Sequence, residues 1–93
     1  MKTLRKKIIE ILENSPHTAE DIAQLLGIQE KEVWEHLHHI DKSLKPMGKQ
    51  LDITPYYCIN CGYVFKSRKR FSKPGRCPEC KDQRIGEAVF EIR

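Results

Sequence analysis

The sequence predicts an α+β fold in which three helices pack against a β-hairpin and a small four-cysteine ribbon is inserted in that hairpin. Three observations support this prediction. Apolar residues recur at helical spacing in the first half of the chain, they alternate along two short stretches of the second half, and two C-x-x-C pairs lie between those stretches. A chain of 93 residues has room for one compact domain that a bound metal can help to stabilise.

The first two helices are predicted from periodicity and capping residues. A helix over residues 3–14 has its apolar positions on one face, at Leu4, Ile8, Ile11 and Leu12. Pro16 follows soon after and prevents its extension. Thr18 is a suitable N-cap for a second helix, and Asp21 occupies the acidic position of a capping box. The second helix should end at Leu26.

A third helix is predicted from about Glu30 to Leu44, where Pro46 prevents its extension. One face of this helix is apolar, at Val33, Leu37, Ile40 and Leu44. Gly27 supplies a turn between the second and third helices. Two helices joined by a short glycine-containing turn are typical of a helix-turn-helix, and a generic three-helix core is the alternative.

The periodicity changes from helical to alternating after the third helix. Leu51 and Ile53 form one alternating set, and Ala88, Phe90 and Ile92 form the other. Because neither strand is stable alone, we expect an antiparallel hairpin that lies on the helices as the wing of a winged helix-turn-helix. The predicted units are residues 1–55 (helix-turn-helix core and first wing strand), 56–84 (ribbon) and 85–93 (second wing strand).

The chain's four cysteines form two C-x-x-C pairs separated by fifteen residues, at Cys58, Cys61, Cys77 and Cys80. Four thiolates at this spacing can close around one tetrahedral metal ion. We expect structural Zn²⁺, since four sulfurs leave no position for a reactive water, and iron can occupy the same donor set. Two disulfides in a secreted mini-protein are the alternative, which the metal-type spacing disfavours.

The residues around the cysteines predict two tight turns and a small apolar cluster. Gly62 follows the first pair, where a turn requires positive φ. Lys81 takes the equivalent place after the second pair, at an expected cost of about 1 kcal/mol, so a looser second turn is predicted. Tyr63 and Phe65 should pack over the metal site. Phe71 should pack under a basic loop, and stacking on nucleic-acid bases among the basic residues is the alternative.

The net charge of +4 conceals an asymmetry, with −1 over residues 1–45 and +5 over residues 46–93. Most of the excess lies in one loop, at Lys66, Arg68, Lys69, Arg70, Lys73 and Arg76. Such a loop suggests a polyanionic partner, and a solvated loop that partly neutralises the thiolates is the alternative. The outward face of the third helix adds further candidates for contacting DNA, at Gln29, Lys31, Glu35, His38 and Lys42.

The helix-turn-helix over Thr18–Leu44, together with Cys58-Ile59-Asn60-Cys61-Gly62-Tyr63 and Cys77-Pro78-Glu79-Cys80, resembles a family of archaeal predicted transcriptional regulators. In that family a winged helix-turn-helix carries a rubredoxin-like zinc ribbon within its wing. The resemblance spans nearly the whole chain. It implies binding to double-stranded DNA and a role in transcription.

We therefore expect a DNA-binding transcriptional regulator, and a homodimer would suit half-site recognition. One alternative is a protein-interaction adaptor that docks on the transcription machinery with little DNA affinity. Another is a rubredoxin-like electron carrier. Catalysis is not expected, because the sequence offers no carboxylate pair, Ser/His/Asp set or phosphate-cradling glycine loop. A cytoplasmic protein without a membrane partner is expected, since no apolar run reaches the roughly 20 residues of a membrane span.

Overall fold

The structure, a computed structural model of the chain, describes residues 3–66 and 70–93. Its helices are α1 (Leu4–Asn14), α2 (Ala19–Leu26) and α3 (Glu30–Leu44), followed by a 3₁₀ turn at Lys45–Met47. Its strands are β1 (His17–Thr18), β2 (Leu51–Thr54), β3 (Tyr57–Cys58), β4 (Ile85–Gly86) and β5 (Val89–Ile92). Within the described part of the chain, no helix has the length and apolarity needed to cross a membrane.

The helix boundaries follow from local capping interactions. The Thr18 hydroxyl accepts a hydrogen bond from the Asp21 N–H at 3.0 Å, and the Asp21 carboxylate accepts one from the Thr18 N–H at 3.2 Å. This reciprocal pair is the predicted capping box at the start of α2. Gly27 ends α2 in the left-handed region with φ 67°, and Glu32 caps α3 by accepting from the Gln29 N–H at 2.9 Å. The three predicted helices are thus confirmed.

A three-stranded antiparallel sheet lies against the helices, with strand order β1-β5-β2. The predicted antiparallel pairing of β2 with β5 is confirmed, and Ile53 lies opposite Phe90 in its register. The core lies between this sheet and the helices. It includes the predicted apolar face of α3 and, from the sheet end of the chain, Ala88, Phe90 and Ile92, all nearly inaccessible to solvent.

Two details of the sheet differ from the prediction. His17, predicted in a turn, belongs to β1, an additional strand of the sheet, and pairs with Phe90. The sequence could not indicate this strand, because two residues are too few to show a periodicity. Ile53, predicted to face the core, is 43% exposed. Ile53 lies on the edge strand β2. The ring of Phe71 packs against the ring of Phe90, with ring centroids 6.2 Å apart.

Candidate metal centre and nucleic-acid interface

The four cysteine sulfurs converge on one point between the two C-x-x-C turns. All four Sγ atoms lie within 4.8 Å of one another. Two of the pairs join the two turns, with Sγ–Sγ distances of 3.5 Å for Cys58–Cys80 and 3.6 Å for Cys61–Cys77. A tetrahedron with metal–sulfur bonds of about 2.3 Å has edges of about 3.8 Å, so the cluster is close to the size that one ion requires.

The two turns that carry the cysteines have the same hydrogen bonds. In the first, the Cys58 N–H donates to the Tyr63 carbonyl and the Gly62 N–H donates to the Cys58 carbonyl, at 2.8 and 2.9 Å. In the second, the Cys77 N–H donates to the Asp82 carbonyl and the Lys81 N–H to the Cys77 carbonyl, both at 2.9 Å. The second turn is therefore as tightly bonded as the first, and the predicted loosening at Lys81 is wrong.

Polar groups that face the sulfurs favour thiolates at part of the cluster. The Asn60 side-chain amide lies 3.5 Å from the Cys80 sulfur, and the Glu79 backbone N–H lies 3.4 Å from the Cys77 sulfur. The hydrogen bond from Asn60 is the main cause that lowers the pKa of Cys80 to about 6.

A cation is needed between the sulfurs if all four cysteines are to be thiolates. A backbone hydrogen bond involving Tyr63 lowers the pKa of Cys61, but desolvation and the neighbouring thiols, Cys77 among them, outweigh it and raise that pKa to about 12. Four sulfurs in contact cannot all be thiolates without a positive charge between them. The donor set, its spacing and its closed geometry fit a structural metal ion, with all four positions supplied by protein.

The ribbon's small core forms beside the metal site. The rings of Tyr63 and Phe65 meet edge to face with centroids 5.0 Å apart, so the predicted apolar cluster is present. Their packing over the metal site stays a prediction. The strands β3 and β4 pair at the base of the ribbon, and the Tyr57 ring lies over Gly86. A Cβ on Gly86 would lie 2.1 Å from the Tyr57 ring, so this close approach requires glycine.

A segment of the ribbon, residues 70–74, lies along α3. The buried Tyr56 hydroxyl donates a 2.6 Å hydrogen bond to the Phe71 carbonyl. The Phe71 ring packs against Phe90 in the core and meets the His38 ring of α3 edge to face, with centroids 6.4 Å apart. Pro74 is buried, which fixes the other end of the segment. The predicted packing role of Phe71 is therefore confirmed.

The predicted nucleic-acid residues fall into three groups. On α3 the candidates Lys31, Glu35, His38 and Lys42 are exposed, as is Gln29 at its start. In the ribbon, Lys66, Arg70 and Arg76 are exposed, whereas the Lys73 ammonium lies 3.6 Å from the Glu87 carboxylate. Arg68 and Lys69 lie outside the described residues.

The structure brings cations from α3 and from the ribbon to one surface. A groove of about 540 Å³ lies between α3 and the 70–74 segment, and both Lys31 and Arg70 line it. Phe71 also lines a second cavity of about 380 Å³, and Arg70 lines it together with Lys66. These two openings share Arg70 and Phe71. The spatial relation of the α3 and ribbon cations could not be read from sequence spacing.

A carboxylate pair that the sequence analysis missed joins α3 to the base of the ribbon. Desolvation, followed by hydrogen bonding and repulsion from Glu87, raises the pKa of Glu30 to about 7, and the nearby Lys73 opposes the shift. The Glu30 Oε1 atom is buried without a hydrogen-bond partner in the described structure. Burial and the neighbouring Glu87 therefore favour the protonated form of the Glu30 carboxyl.

Comparisons with known proteins cover both parts of the chain. A family model described as "PF0610-like, N-terminal" matches residues 3–51, and one described as "PF0610 rubredoxin-like zinc beta-ribbon domain" matches residues 55–93. The solution NMR structure of protein PF0610 from Pyrococcus furiosus is similar, with a TM-score of 0.81 and 34% sequence identity over 97% of this chain and 88% of that one.

A more distant similarity involves the DNA replication licensing factor Mcm2 of Drosophila melanogaster. The two sequences are 32% identical over 73 residues, a match that covers 64% of this chain and 8% of Mcm2. The chain therefore spans a small part of that relative's length. The two family models and the solved structure agree with the helical body and the four-cysteine ribbon described above: the chain belongs to the PF0610-like family, with a rubredoxin-like zinc β-ribbon in its C-terminal part.

Proposed function

We propose that this protein is a DNA-binding transcriptional regulator of the winged helix-turn-helix class, with a zinc ion holding its ribbon. In this interpretation α2, the Gly27 turn and α3 form the helix-turn-helix, and β2 and β5 form the wing. The ribbon occupies the connection between those two strands. The sequence similarity to a DNA replication licensing factor supports an association with DNA.

The observation that carries this proposal is the convergence of Lys31 and Arg70 on one groove. Lys31 belongs to α3 and Arg70 to the ribbon, so the fold joins two elements that are far apart in sequence. Lys66 adds a third cation beside Arg70. A surface that gathers cations from separate elements suits a phosphate backbone, which offers regularly spaced negative charges.

The zinc ion has a structural role in this proposal. Its four sulfur ligands complete the tetrahedron, and the ion supplies the positive charge that keeps all four cysteines as thiolates. The ribbon in turn positions the 70–74 segment, and hence Arg70, beside α3. Zinc therefore affects DNA binding through the placement of Arg70.

The test is binding of the zinc-loaded, reduced protein to random-sequence duplex DNA in a salt series from about 0.05 to 0.2 M. We expect affinity to fall steeply with salt, and we expect Arg70→Ala and Lys31→Ala each to reduce the log–log slope by about 0.9. Lys7→Ala, which removes an exposed cation from α1, is the matched control and should leave the slope unchanged. Absence of binding at low salt would contradict the proposal.

A regulator must also prefer some sequences over others. Repeated selection from a random duplex pool should enrich a defined site that binds at least about a thousandfold more tightly than bulk DNA. Salt-dependent binding without any enrichment would retain DNA binding and remove the regulatory part of the proposal.

A protein-interaction adaptor is the second candidate, and exposed apolar side chains on the ribbon favour it. Tyr57 and Val64 form an isolated antiparallel bridge, and they are 45% and 38% exposed, while Ile59 is 58% exposed. Such side chains suit a protein partner in the transcription machinery. Substituting Ile59→Ser and Val64→Ser should then abolish binding to purified RNA polymerase in nuclease-treated samples while leaving DNA binding unchanged. A matched Leu25→Ser substitution on α2 is the control.

A further inference from the structure

The 70–74 segment restricts how α3 can meet DNA. An α-helix with its side chains is about 10–12 Å wide, and the major groove of B-DNA is about 12 Å wide. The groove therefore admits a bare helix face. In this structure the outward face of α3 has the ribbon segment beside it, and the Phe71 ring contacts the His38 ring. The segment therefore limits how closely a duplex can approach that face at His38.

The groove beside the segment suits flat, unpaired bases, because aromatic and imidazole rings line it. Trp34, His38 and Phe71 line the groove of about 540 Å³. Phe71 also lines the cavity of about 380 Å³, together with Phe65 and Phe90 among others. Phe71 is half-buried and His38 is exposed, so their rings present accessible surface to a ligand.

Charged groups accompany these rings in both openings. Lys31 and Arg70 line the larger groove, where Glu35 is the acidic residue. Lys66 and Arg70 line the smaller cavity, where Asp41 is the acidic residue. Among the described residues, cations therefore outnumber carboxylates in each opening. A ligand with flat apolar faces and regularly spaced anionic groups complements this surface.

We propose that the groove between α3 and the 70–74 segment binds an unpaired nucleic-acid strand, with bases stacked on the Trp34, His38 and Phe71 side of the groove and phosphates at Lys31 and Arg70. Unpaired bases expose the faces that a duplex hides, and base–aromatic stacking with cations along the backbone is how many proteins hold single strands. This inference rests on the proposed DNA-binding function and adds to it: the exposed cations meet duplex phosphates, and the groove itself takes an unpaired strand.

Trp34 provides a direct probe, because it is the chain's single tryptophan and it lines the groove. The zinc-loaded protein is titrated with oligothymidylate of about 12 nucleotides, with oligouridylate, with a duplex and with an abasic strand of equal length. We expect quenching of Trp34 emission by the single strands and at least about tenfold weaker binding of the abasic strand, which keeps the phosphates and lacks the bases. The tighter of the two single strands identifies DNA or RNA as the source.

Two variants separate stacking from general stability. Phe71→Leu keeps an apolar side chain against the core and removes the ring, and it should weaken oligothymidylate binding about tenfold. Tyr57→Leu removes an aromatic ring of the ribbon that does not line either opening, and it should leave binding unchanged. Thermal unfolding and zinc content of both variants check that they fold.

The outcomes distinguish this inference from the proposed function. Equal binding of abasic strand, single strand and duplex, with Phe71→Leu unchanged, would overturn the inference and leave phosphate-directed DNA binding intact. Tighter binding of the duplex with no change in Trp34 emission would also overturn it. Failure of all four probes to bind at low salt would overturn both.

Discussion

Lys81 occupies in the second cysteine turn the position that Gly62 occupies in the first. Both have left-handed backbone, with φ of 66° for Lys81 and 81° for Gly62, and each donates its N–H to the carbonyl of the first cysteine of its pair at 2.9 Å. Among the residues that the structure describes, Lys81 is the only one other than glycine with positive φ. The second turn therefore has the same hydrogen bonds as the first with added backbone strain.

Lys81→Gly should increase the stability of the zinc-loaded protein by ~0.5–1 kcal/mol, because the relief of left-handed strain exceeds the entropy that glycine adds to the unfolded chain. Chemical unfolding measures the change. Lys81→Ala is the control, since it removes the side-chain charge and keeps the strained backbone. An equal gain in Lys81→Ala would assign the effect to the side chain and contradict the backbone explanation.

Removal of the metal should unfold the ribbon while the helices remain. A structural zinc ion supplies on the order of 10 kcal/mol. Cys58 and Cys77 belong to the same buried cluster as the helices, but α1, α2 and α3 also pack on one another and α1 packs on β5, and these contacts do not involve the cysteines. We expect a strong chelator, or Cys58→Ser, to change Trp34 emission as the 70–74 segment leaves α3, with most of the far-ultraviolet helix signal retained. Loss of the helix signal in parallel would show that body and ribbon fold as one unit.

Metal identity is tested on the same sample. Elemental analysis should give about one zinc per chain, and the zinc form should show no reversible redox wave, since zinc has no accessible second oxidation state. An iron-loaded protein isolated under zinc-replete conditions, with a reversible wave, would favour the electron-carrier alternative instead.

Glu30 should make stability depend on pH. Its pKa rises from 4.5 to about 7 on folding, chiefly through desolvation and then through Glu87, so the folded protein binds the proton more tightly. Its contribution is therefore fully present below about pH 4.5 and is lost as the pH rises through about 7. Glu30→Gln should raise the melting temperature at pH 8 relative to the natural chain.

The advantage of Glu30→Gln should shrink as the pH falls toward 6, where the natural Glu30 becomes protonated. Measurements between about pH 6 and 8.5 keep the cysteines bound to metal. Glu35→Gln is the matched control, because Glu35 is exposed on the same helix. A pH-independent advantage would indicate a change in helix propensity or capping, and would contradict the proposed role of burial.

Periodicity and capping residues were sufficient to predict most of the fold. Val33, Leu37 and Ile40 recur at helical spacing and are fully buried, and the capping box at Thr18 marks the start of α2. The C-x-x-C spacing likewise predicted the four-sulfur cluster. These features are local or repeat at fixed intervals, so neighbouring residues alone encode them.

Contacts between distant segments could not be predicted in this way. Both the basic loop and the amphipathic helix α3 were predicted from the sequence. The contact of Phe71 with His38 was not, because it depends on how the ribbon packs against α3. The same holds for Glu30 and Glu87, which are distant in sequence and adjacent in space. The short strand β1 was not predicted, because its two residues are too few to show an alternating pattern.

Tyr56→Phe should loosen the 70–74 segment, because it removes the Tyr56 hydroxyl and keeps the aromatic ring of that residue. The Tyr56 hydroxyl, in a residue that is 4% exposed, donates to the Phe71 carbonyl at 2.6 Å, and its loss should cost ~1–2 kcal/mol because a carbonyl in a partly buried site loses its donor. We expect faster amide exchange in residues 70–74, altered Trp34 emission and weaker oligothymidylate binding. Tyr57→Phe, which removes the hydroxyl of a 45% exposed tyrosine, is the control and should change stability by less than about 0.5 kcal/mol. Equal effects of the two substitutions would contradict the role of this hydrogen bond in holding the segment on α3.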